Sequence, residues 1–286
     1  MDNADNIVMK NIIKLIMTFF ILTASFSSFA LTEQSYIDWS KGKIYSVISV
    51  RTEYNYNFPH NRLLQTEAAR EKAKVNYFRI LSDINISQSV PLMDYISENP
   101  VRDSALLTLI DEANLESIEY PDLSTVRLSY SINLYGDNSV ANIIMAQEGF
   151  YTEELHQYEG FHFKSDYSGI IIDARGVLKS FGGHDVTVQP SMFVSVIDDD
   201  GHQVFNQYNV DANVIRRQGM VQYSYNINGD LTDRIGSNPY RMVAYGTGDD
   251  VGSVLVITTP DAKRILASSA TRDSIRNGRV AIIIDR

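Results

Sequence analysis

The chain has no cysteine, and this absence excludes more than any other. There can be no disulfide, no thiolate zinc site, no cysteine nucleophile and no acylated lipoprotein cysteine. Such a chain holds together by core burial alone. Long hydrophobic runs are also scarce. The one near the start, "LIMTFFILTASF" from Leu15 to Phe26, is about 12 residues, against the roughly 20 that a spanning helix needs. No later segment is apolar enough to cross a membrane. Positive charge is in deficit, with 25 Lys and Arg against 35 Asp and Glu, a formal net charge of −10. That balance repels phosphate backbones, and no Lys/Arg cluster interrupts it, so nucleic acid is not an expected partner.

Local catalytic signatures are missing as well. There is no G-x-S-x-G elbow and no Walker loop. The histidines His60, His156, His162, His184 and His202 never fall at the short spacings of zinc motifs. His156 and His162, with Glu153 and Glu154, read as a solvated loop. "YGTGDDVG", Tyr245 to Gly252, imitates a dinucleotide loop, but "SVLVITT" after it reads as a strand where that motif needs a helix. No metal and no cofactor is expected.

What the chain does have begins with an export signal. A polar start with Lys10 and Lys14 precedes the apolar run, and "SSFA" places small residues at Ser28 and Ala30. Residues 1–30 are read as a signal peptide cleaved near Ala30, which predicts a periplasmic or secreted protein with no membrane span in the mature chain. The alternative is an uncleaved anchor, for which the run is short.

The remainder predicts an α+β protein of two mixed α/β domains, 31–150 and 151–286, each a sheet packed with a few helices. In the first, "KIYSVISV" reads as a strand. "RLLQTEAAREKAKVNYFRILSDI" lacks Gly and Pro and reads as a helix. Leu64, Ala68, Val75 and Phe78 are expected to face the sheet, with Ala69, Ala73 and Ile80 widening that face. "VRDSALLTLIDEAN" fits a second helix. In "STVRLSYSINLYGDN", Val126, Leu128, Tyr130, Ile132 and Leu134 alternate onto one face. Periodicity dissolves between Ala146 and Ser168, and the boundary is placed there, near residue 155. In the second domain "GIIIDA" has the apolar run of a strand covered on both faces, and "MFVSVIDDDGHQVFN" that of a hairpin through Asp-Gly. Thr259 and Pro260 mark a helix start, as N-cap and first helical residue. "RVAIIID" closes the chain as a buried strand.

The sharpest phrase is "DYSGIIIDARG", nearly repeated at the end as "AIIIDR". Asp173 is the first residue past the isoleucines that can reach solvent, and ligands often sit at the carboxyl ends of parallel strands. The plainer reading pairs Asp173 with Arg175 locally and lets Gly176 make the bend. Asp198, Asp199 and Asp200 are consecutive, unlike the alternating ligands of a calcium loop, and read as the hairpin's turn. Tyr36, Tyr54, Tyr56, Tyr223, Tyr225, Tyr240 and Tyr245 offer amphipathic surface, or serve as ordinary strand residues.

"IDWSKGKIYSV" followed by "EAAREKAKVNYFRIL" and a later strand, from about Tyr36 to Gly136, resembles the N-terminal fold of flagellar assembly protein T and of the twenty-kilodalton envelope lipoproteins. The second half looks like a companion domain of uncharacterised secreted bacterial proteins. The resemblance implies a non-catalytic protein of the bacterial envelope, with envelope or flagellar proteins as partners and no catalytic residues to carry over. The lipoprotein members have a lipid-bearing cysteine that is absent here. The expectation is therefore protein contact in envelope or flagellar assembly, through a surface holding Asp173, Arg175, Tyr223 and Tyr225. A small-ligand-binding protein or hydrolase at the same strand ends is the alternative, as is glycan or peptidoglycan binding.

Overall fold

A computed structural model of the chain describes residues 30–51, 58–87, 90–146, 151–163 and 165–286. The signal reading of residues 1–29, and Tyr54 and Tyr56, fall outside them. Eight helices and sixteen strands among the described residues give the α+β class expected. No described helix is long and apolar enough to cross a membrane. The chain forms two compact units. One takes the described residues among Met1–Gln34, Ser46–Val75 and Leu115–Tyr130; the other takes those among Ser35–Tyr45, Asn76–Asn114 and Ser131–Arg286.

One four-stranded sheet runs in the order β1 (Ala30–Asp38), β2 (Lys43–Arg51), β6 (Thr125–Asn133), β5 (Asn114–Glu119). Alternation decides which side is dry. Ile48 and Val50 of β2 and Val126, Leu128 and Tyr130 of β6 are buried, as the period of two predicts. The long helix α1 (Phe58–Asp83) begins four residues before the predicted Arg62. Its dry face is also rotated from the expected one. Ala68, Ala69, Ala73 and Ile80 are buried, but Leu64 and Val75 are exposed and Phe78 is half-buried. Gln65, Asn76, Tyr77 and Leu81 complete the face instead. The large aliphatic residues misled the phase, because small alanines let the backbone pack closely. A buried amide is tolerated there because Gln65 Nε2 donates to the carbonyls of Ser124 at 2.8 Å and Val50 at 3.3 Å.

The second unit holds the small hairpin β3 (Asn85–Ser87) with β4 (Val90–Pro91) and helices α2 (Leu92–Ser97), α3 (Pro100–Asp111) and α4 (Val140–Met145). Beyond these lie β7 (Gly169–Asp173), β8 (Val177–Lys179), β9 (Asp185–Thr187), β10 (Ser195–Asp198), β11 (Gln203–Phe205), β12 (Gln222–Ser224), β13 (Pro239–Val243), β14 (Gly246–Thr247), β15 (Val254–Ile257) and β16 (Val280–Ile283). The helices here are α5 (Ala212–Gln218), α6 (Thr232–Ile235), α7 (Thr259–Ala267) and α8 (Ser269–Arg276).

One sheet runs β12-β16-β7-β13 and all its pairings are parallel. A second runs β11-β10-β15-β14, with β10 parallel to β15 and the other pairs antiparallel. Every residue of β16 and β15 is buried, and so are Gly169 to Ile172 of β7. This is the continuous apolar reading of strands covered on both faces. Close cover is visible at Gly169, where a Cβ would lie 2.5 Å from the Ile235 carbonyl oxygen and 2.7 Å from that of Arg279.

The hairpin predicted through Asp-Gly is β10–β11, and the false dinucleotide loop does lead into a strand, β15. The helix start after it is one residue earlier than expected. Thr258 is the N-cap of α7, its hydroxyl accepting from the Asp261 amide, and Thr259 and Pro260 are the first helical residues. Thr259 is drawn into the helix because its amide donates to Asp199 Oδ1 at 2.6 Å.

Candidate contact site at the strand ends

In the parallel sheet the carboxyl ends of β12, β16, β7 and β13 lie along one edge. Asp173 closes β7 there, and Arg175 follows after one residue. The guanidinium grips the carboxylate with two parallel bonds, Nε to Oδ1 at 2.8 Å and Nη2 to Oδ2 at 2.7 Å. This fork geometry is the strongest form of a charge-assisted pair. The Arg175 bonds hold the Asp173 carboxyl below its ordinary pKa against a desolvation that works the other way. Gly176, with φ of 83°, makes the bend, and its amide donates to Asp285 Oδ2 at 2.6 Å. The terminal "IIIDR" thus supplies a carboxylate to the turn of "IIIDAR".

Exposed apolar side chains stand near this pair, beside the charges of Asp285 and Arg241. Val243 of β13 is the register partner of Asp173 and is 67% exposed, and Tyr245 is 66% exposed. Val177, one residue past the bend, is also exposed. A shallow hollow of about 150 Å³ is lined by Ile171, Asp173, Ile227, Arg241, Met242 and Val243. Its lining holds one carboxylate and no histidine, so it offers no acid–base pair.

Of the residues expected on a contact surface, Asp173 and Arg175 are paired with each other at this edge. Tyr225 stands half-buried just past β12, on the same edge. Tyr223 does not join them. It is 1% exposed, its hydroxyl accepts from the Ser191 amide at 3.0 Å and donates to the Ser191 carbonyl at 3.1 Å. Trp39 meets its ring edge-on at 5.6 Å between centroids. Burial pushes its pKa up to about 12. The difference is one of place: Tyr223 lies within β12, where Ser224 beside it is buried too, whereas Tyr225 stands past the strand's end. Tyr240 is half-buried, its hydroxyl donating to Asp261 at 2.5 Å and accepting from Arg264.

The acidic turn has its own order. Asp198 is buried, and its two oxygens accept from the amides of Asp200 and His202, from the Tyr158 hydroxyl and against the His202 ring. Asp198, Asp200 and His202 come close enough to hold a cation. The bonds to Asp198 are those of a turn with its hydrogen bonds satisfied. Sequence reasoning passed over Tyr158, forty residues away in an aperiodic stretch, and also Tyr135 and Arg234, which share a polar cavity. None of these carried a spacing signal.

Fold and site together define an α+β protein with a parallel sheet whose strand ends are closed by a local ion pair. More particularly, residues 30–139 match the family model described as Treponema pallidum Tp0624, N-terminal domain, and residues 169–286 match the one described as Treponema pallidum Tp0624, second domain. The chain is similar to that protein over these two stretches, in that order. No curated protein matches it.

Proposed function

We propose that this chain is a non-catalytic, exported protein of the bacterial envelope, periplasmic or secreted, that works by protein contact in envelope assembly. The observation that carries the reading is the strand-end patch. Asp173 is held on both oxygens by Arg175, which keeps the carboxylate in a charge pair, and exposed Val243 is its register partner on the next strand, with exposed Val177 and Tyr245 following along the two chains. Exposed apolar side chains bordered by charged groups are a feature of surfaces that meet another protein. The flagellar form of this role rests on the sequence resemblance alone.

The test is in-cell cross-linking of the tagged chain, native and Val243→Asp, with identification of what co-purifies. Envelope components captured by the native chain and lost with Val243→Asp support the proposal. Capture that is indifferent to the substitution, or no specific capture, overturns it.

A further inference from the structure

A cavity of about 350 Å³ lies within the second compact unit. Its lining includes Trp39, Lys41, Tyr135, Arg217, Asp233 and Arg234. Arg234 is 8% exposed, and buried arginines are normally paired with a carboxylate. Here the guanidinium has only neutral acceptors: Nη1 donates to the Gln218 carbonyl at 3.0 Å and Nη2 to that of Gly219 at 2.7 Å. Nε has no partner, and no carboxylate lies at ion-pair distance among the described residues. Five N–H donors and one full positive charge are therefore answered by two carbonyl oxygens.

Tyr135 stands in the field of this guanidinium, and its hydroxyl has no hydrogen-bond partner among the described residues. The ring is wedged in place. A Cβ on Gly42 would lie 2.9 Å from it, and one on Gly219 2.8 Å. Two further cations, Arg217 and Lys41, line the opening, against the single exposed carboxylate of Asp233. Lys41 also leans on Asp38 at 3.5 Å. Three cations lining one cavity are conspicuous in a chain of net charge −10. The volume falls in the range of small-molecule sites.

We propose that this cavity binds a small oxyanion ligand, whose carboxylate or phosphate group is held by Arg234 and the Tyr135 hydroxyl, with Arg217 at the mouth. A bound anion supplies the counter-charge that the protein itself does not. The site is separate from the strand-end patch, and neither proposal depends on the other.

The experiment is thermal unfolding of the full chain with citrate or with inorganic phosphate, each against sodium chloride at matched ionic strength. A ligand at a hundredfold excess over its Kd should raise Tm by roughly 5–10 °C. Citrate alone acting identifies a carboxylate site, phosphate alone a phosphate site. Because Arg234→Met could fail to fold, the placement is read from Arg217→Gln, which is exposed, and Tyr135→Phe. Each should weaken binding by on the order of tenfold. No shift with either anion overturns the proposal. So does a shift that both variants retain in full, which would mark an adventitious ion only.

Discussion

Ile172 and Ile282 are register partners across the parallel pair β7–β16, which sets the chain's two near-identical phrases side by side. The likeness is therefore the product of a shared place. Each run of isoleucines fills a strand covered on both faces, and each acid stands where its strand leaves the core. Ala174 continues the pairing by donating to the Ile283 carbonyl at 2.9 Å, and the ladder ends there.

The first prediction follows from that core. Ile171 packs with Leu231, Ile235, Ala281 and Ile283, all buried. Ile171→Ala should cost about 2–5 kcal/mol by urea unfolding, from lost transfer and the cavity left. Ile171→Asp should not fold, because no partner for a carboxylate is present in that cluster. Soluble Ile171→Asp protein with an unchanged urea midpoint would contradict the placement of β7.

The second concerns Gly169. Its Cβ position is blocked by backbone carbonyls of Ile235 and Arg279, neither the end of a yielding side chain. Gly169→Ala should lower stability by about 1–3 kcal/mol, the usual cost of overpacking. A neutral result in the same urea assay would mean that α6 can move off the sheet freely.

The third concerns the ion pair that closes β7. Asp173 and Arg175 are neighbours at the surface, and such pairs contribute about 0–1 kcal/mol. Asp173→Asn should fold normally and lose no more than that. The direction with pH is fixed by the depressed carboxyl. A carboxyl with a lowered folded pKa stabilises above its ordinary unfolded value, and that contribution fades as pH falls through the folded value. The native and Asp173→Asn proteins should differ near neutral pH and converge in acid. A gap that widens on acidification would refute the pairing.

Much of this fold could be read from the sequence because strands advertise themselves. The alternation of Val126, Leu128 and Tyr130, and the unbroken apolar runs of β7 and β16, follow directly from which faces are dry. The helix α1 was legible in kind but not in phase. Its dry side is made of alanines with Gln65 and Asn76, and the satisfied amide of Gln65 depends on Val50 and Ser124, distant in sequence. The bidentate Asp173–Arg175 pair could be anticipated because its partners are two residues apart. Tyr223 could not be told from Tyr225 without knowing that β12 ends at Ser224, between them. The meeting of Tyr135 with Arg234 is tertiary altogether, about a hundred residues apart in the chain, and no local pattern encodes it.

The last prediction separates turn from metal site at Asp198. Its carboxylate is buried, which by itself would raise the pKa, but the Tyr158 hydroxyl and the amide and ring of His202 together outweigh this and lower it. Those same groups occupy both oxygens, with Tyr158 at 2.6 Å and the His202 amide at 2.7 Å. A cation could enter only by displacing them, so calcium or zinc should leave Tm unchanged. Asp198→Asn keeps the shape but loses the charge and mispairs one donor, at a cost of about 1–3 kcal/mol. The native advantage should be full above the ordinary carboxylate pKa and disappear as pH falls through the lowered one. Tyr158→Phe should reproduce part of the loss, because it removes one of the donors that hold the charge. A clear rise in Tm with calcium, abolished by Asp198→Asn, would instead make the turn a cation site and the hydrogen bonds to it the resting arrangement of an empty one.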